Sequence, residues 1–99
     1  MNDAIWLVML RGIVEKSIDK LLSDKSLSTW RFIFESMKPA IKNSDDAIFG
    51  YVYGYVLGSL ELLLSTLNRQ PTNEEMAEIV NAIDKRKMEI RSRIYQTKT

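Results

Sequence analysis

With no histidine and no cysteine among its 99 residues, this chain confines any chemistry to carboxylates, tyrosines, serines and lysines. Imidazole acid–base catalysis, histidine-ligated metals, thiolate nucleophiles and zinc–thiolate sites are thereby excluded. Among the groups that remain, Glu61 stands out as the one charged residue inside the apolar segment 47–67. A carboxylate in such a segment sits either at a solvent edge or buried and paired. We expect a structural pair, with Arg11, Arg31 or Arg86 as the cation, in preference to a carboxyl of raised pKa. Glu74 and Glu78 lie one turn apart and have the chemistry to share a hard cation. No third ligand stands at a supporting spacing, so no metal is expected. Ser17 beside Lys16 makes no dyad, because adjacent helical positions point in different directions. There is no glycine-rich phosphate loop, nucleotide fingerprint or acid–base pair. Neither a cofactor nor an enzymatic activity is expected.

The same segment carries a ladder of glycines, Gly50, Gly54 and Gly58. A spacing of four puts all three on one side of a helix, where nothing holds a neighbouring backbone away. Glycine inside a helix costs about 1 kcal/mol relative to alanine, so three in register imply a close approach by another element. That element is a helix of the same chain, the same helix of a second copy, or a partner. Tyr51 and Tyr55 flank the ladder and suit the rim of an interface, whereas Tyr53 belongs with the core side.

A second candidate surface is the basic end. Residues 84–99 hold six cations against two acids, a balance of +4, so residues 1–83 sum to −3 within the net +1. Lys85, Arg86, Lys87, Arg91 and Arg93 have the charge to track phosphates in a salt-dependent way. The simpler account is that cations near a helix C-terminus answer its dipole. Asp84 and Glu89 also dilute the patch, and no recognition motif is visible.

Four helices are required to place these residues, and no strand signal competes with them. The first covers 3–22, with Asp3 as a cap and Leu10, Ile13, Val14, Ile18, Leu21 and Leu22 on one face. A polar break over 23–28 ends at Ser28, the expected cap of a helix over 29–38. Pro39 ends or kinks that helix, because the residue before a proline is biased away from helical geometry. The third helix covers 46–68, capped by Ser44 or Asp45, with a core face running from Phe49 to Leu67. Thr72 and Glu75 form a capping box for the fourth, over 73–95. Its residues Met76, Val80, Ile83, Lys87, Ile90 and Ile94 read as a heptad seam. A short turn makes the last two helices a long antiparallel hairpin, with Gly58 opposite Ala82.

The expectation is therefore an all-α, compact four-helix protein, residues 1–99 forming a single domain. The absence of cysteine and of a signal-peptide pattern at the N-terminus fits a cytoplasmic setting. A chain this small, with surplus apolar surface, is expected to form a homodimer and act as a non-enzymatic interaction module. The alternatives are a nucleic-acid-binding protein using residues 85–98 and a membrane protein spanning 47–67. Against the span stand Glu61, three tyrosines, and neighbouring helices that need a core to cover.

Overall fold

The computed structural model describes the backbone of residues 3–96 and the side chains of residues 4–95. Among the described residues the chain is all helical. Five helices follow in order: α1 Asp3–Leu21, α2 Asp24–Glu35, α3 Ser44–Thr66, α4 Asn73–Lys85 and α5 Lys87–Gln96. The expected cap at Asp3 and the outermost cation of the basic end, Lys98, have side chains outside the described residues.

The apolar row of α1 forms as its spacing requires. Leu10, Val14, Ile18, Leu21 and Leu22 are buried, and Ile13 is half-buried against them. α2 begins five residues before the expected start. Ser23 is its cap, its hydroxyl accepting from the Ser26 N–H at 3.2 Å. The reason lies in Leu27, which the helix turns into the core and buries. Nothing in 23–28 breaks a helix. α2 ends at Glu35, ahead of the cis Lys38–Pro39 bond.

α3 starts at Ser44, capped by neither Ser44 nor Asp45 but by Asn43, whose side chain accepts from the Asp46 N–H at 3.1 Å. Its buried row is Ile48, Val52, Val56, Leu60 and Leu64, each one turn from the last. Phe49, Tyr53 and Leu63 are half-buried beside it, and Leu67 is exposed. Thr72 and Glu75 close the expected capping box at the start of α4.

The last expected helix is two. The break falls at Arg86, and it changes which residues face inward. Met76, Val80 and Lys87 of the expected seam are exposed; its Ile83 is buried, joined on α4 by Glu75, Ile79 and Ala82. Beyond the break, Ile90 and Ile94 of α5 are fully buried. The cause is tertiary. The Arg86 guanidinium meets Asp19 of α1 at 2.6 Å, Glu89 at 2.7 Å and the Glu15 carbonyl at 3.2 Å, pinning the junction onto α1.

The packing order also departs from a hairpin. α4 lies principally on α1, and α3 lies on α2, α5 and α1. α1 and α4 run in the same direction, since Trp6 meets Glu75, Arg11 meets Glu78 at 3.5 Å, and Asp19 meets Arg86. Ala82 is buried, yet Gly58 is exposed, so the two do not face each other. The molecule measures 47 × 24 × 20 Å, with a radius of gyration of 15.0 Å. A globular domain of this length would have about 13 Å.

Candidate interaction surface

Two regions concentrate the unusual residues: the junction of α1 with the start of α4, and the outer face of α3. At the junction, Glu75 is 3% exposed, a buried carboxylate that must be satisfied locally. The capping box aims one oxygen, Oε1, at the Thr72 N–H at 2.8 Å. Arg69, in the α3–α4 turn, grips both oxygens at 2.7 and 2.6 Å, and the Trp6 indole N–H donates to Oε2. Arg69 above all, with the Thr72 N–H and Trp6 behind it, holds the Glu75 carboxyl down at about 2. An open cleft of about 530 Å³ adjoins this cluster. A carboxylate so fully donated to, and ionised throughout the neutral range, is a structural tie and not a general acid or base.

A second tie joins the other end of the bundle. Arg31 of α2 pairs with the buried Asp45 of α3, and its other nitrogen donates to the Ile94 carbonyl of α5 at 2.6 Å. Arg11 pairs with Glu78, Arg31 with Asp45, and Arg86 with Asp19 and Glu89. All three cations expected for Glu61 are thus engaged elsewhere. Glu61 itself is exposed, so the expected structural pair is overturned. Its place on the outer side of α3 leaves it hydrated, and no desolvation demands a partner.

That outer side holds the glycine ladder. Gly50, Gly54 and Gly58 are all exposed, and a Cβ added at any of them would meet no atom within 4 Å. A close approach within the chain is therefore ruled out among the described residues. The ladder is a bare groove. Leu57 borders it on one side, 40% exposed; on the other stand Leu62 and Tyr55, 68% and 37% exposed. The tyrosine flank is braced from behind. Tyr51 stacks on Trp30 of α2 at 4.2 Å between ring centroids and on Tyr55 at 5.9 Å, and Phe34 adds an edge contact to Tyr51. Tyr53 turns away from this flank to stack on Phe49 at 4.8 Å. Its hydroxyl is buried with no hydrogen-bond partner among the described residues, and burial, with Asp84 nearby, pushes its pKa up.

α3 is also long and apolar enough to cross a bilayer: 23 residues, with a mean hydropathy of 1.5 over an 18-residue stretch. Only 28% of that stretch is buried. The central helix of a small bundle is ordinarily covered on most sides. α3 is packed by α1, α2 and α5 and left open on the side of the glycines.

The basic end is divided by the fold. Arg86 is committed to Asp19 and Glu89, and Arg93 to the Leu22 carbonyl at 2.9 Å and Asp24 at 2.6 Å. Arg91 lies over the Tyr95 ring. Lys85 and Lys87 are exposed. Two of the five expected phosphate-tracking cations are thus staples that fix α5 to the first half of the chain. No group of three or more carboxylates able to hold a metal occurs among the described residues, and Glu78 answers Arg11 instead.

Sequence reasoning missed Trp6 and Arg69 altogether, and it missed the pairing of Arg31 with Asp45. The capping box marks Glu75 for one of its bonds, but nothing in the spacing reveals that Trp6, 69 positions earlier, supplies another. Comparison with family models, with curated proteins and with solved structures finds no match to this chain.

Proposed function

We propose that this protein is a non-enzymatic protein–protein interaction module that works as a homodimer, with the outer face of α3 as its contact surface. One observation carries the reading: the three glycines are bare in the single chain, beside exposed Leu57, Leu62 and Tyr55. Three helix-weakening residues in register have no use inside this chain, and a surface of that shape suits a second helix at short range. The two buried carboxylates, Asp45 and Glu75, are consumed in structural ties, which leaves no poised acid or base to argue for catalysis. The cysteine-free composition fits a cytoplasmic setting.

A second reading, membrane association through α3, has the length and hydropathy of that helix in its favour. Against it, α1, α2 and α5 all pack on α3, and Asp45 with Arg31 is set into its first turn. Insertion would strip that packing and carry an ion pair toward hydrocarbon, which is costly. Static light scattering separates the two. Homodimerisation predicts a mass of twice the 11.5 kDa chain in detergent-free buffer and no flotation with phosphatidylcholine vesicles. A single-chain mass at every concentration, or quantitative flotation, would reject the proposal.

A further inference from the structure

We draw no further inference here: the strongest candidate, the exposed apolar patch of Ile5, Val8 and Met9 on the outer face of α1, is an unpartnered helix face, and nothing in the structure shows what covers it.

Discussion

The Glu75 junction and the outer face of α3 sit at opposite extremes of the same physics. At the junction, every polar group that burial removes from water has been given a partner: Glu75 has Arg69, Thr72 and Trp6. On α3, the side that carries the glycines has no such cover, and Leu57, Leu62 and Tyr55 stand exposed beside them. The first pattern is what a chain does to hold itself together. The second is where the proposed contact would lie, because uncovered apolar area on a small monomer often marks a contact.

The contrast fails first if the junction is not a true tie. Replacing Glu75 with Ala strands the Thr72 N–H, the Trp6 indole and one face of Arg69. Breaking a buried pair on one side costs about 3–5 kcal/mol, and the partial exposure of Arg69 places this one near 3 kcal/mol. Urea unfolding would register the loss, and an unchanged midpoint would demote the cluster to surface decoration.

Acid titration examines the same node more gently. The Glu75 carboxyl is held at about 2 in the fold against 4.5 when free, so the folded state prefers the ionised form. Stability from this group is therefore full above pH 4.5 and is lost as pH falls toward 2. The loss should be on the order of 3 kcal/mol and should vanish in a Glu75→Gln background. Glu35 and Glu89, whose carboxyls are also held low by Lys38 and Arg86 respectively, contribute in the same direction. Both are exposed and screened, so their share is smaller.

The outer face of α3 makes the opposite demand. Substitution of Gly50 with Ala meets no atom within 4 Å in the single chain. At concentrations low enough to keep the chain monomeric, it should stabilise the fold by up to about 1 kcal/mol through helix propensity alone. Thermal melts at two concentrations check this, because any cost of the change should emerge only at the higher one. The smallest expected effect is at Tyr53, whose buried hydroxyl has no partner among the described residues. Tyr53→Phe should be neutral or stabilising by some tenths of a kcal/mol in a chemical melt, since an unmade bond is removed with it.

What could be read from the sequence follows from how local its cause is. The buried row of α1 and the Thr72–Glu75 capping box depend on spacings of three and four, and both stand in the fold. The start of α2 was hidden because Ser23 and Ser28 are equally good caps, and only the burial of Leu27 decides between them. The break at Arg86 was hidden more deeply. No glycine or proline marks it, and its cause is a guanidinium drawn to Asp19, 67 positions away in the chain. Once the helix breaks there, Met76 and Val80 rotate out and Ile79 and Ala82 rotate in. The glycine ladder was legible as a face but not as a direction. Periodicity places Gly54 relative to Val52 and Val56, but it does not say which of the two sides the other helices will cover.

The most direct test is the mass of the native protein beside that of Gly54→Leu, by light scattering over the same concentration range. Gly54 is exposed and a Cβ there meets no atom within 4 Å, so the variant should remain folded by circular dichroism. The expected result is twice 11.5 kDa for the native protein and one chain for Gly54→Leu. Equal masses for the two, whether both single or both double, would contradict a contact through the outer face of α3.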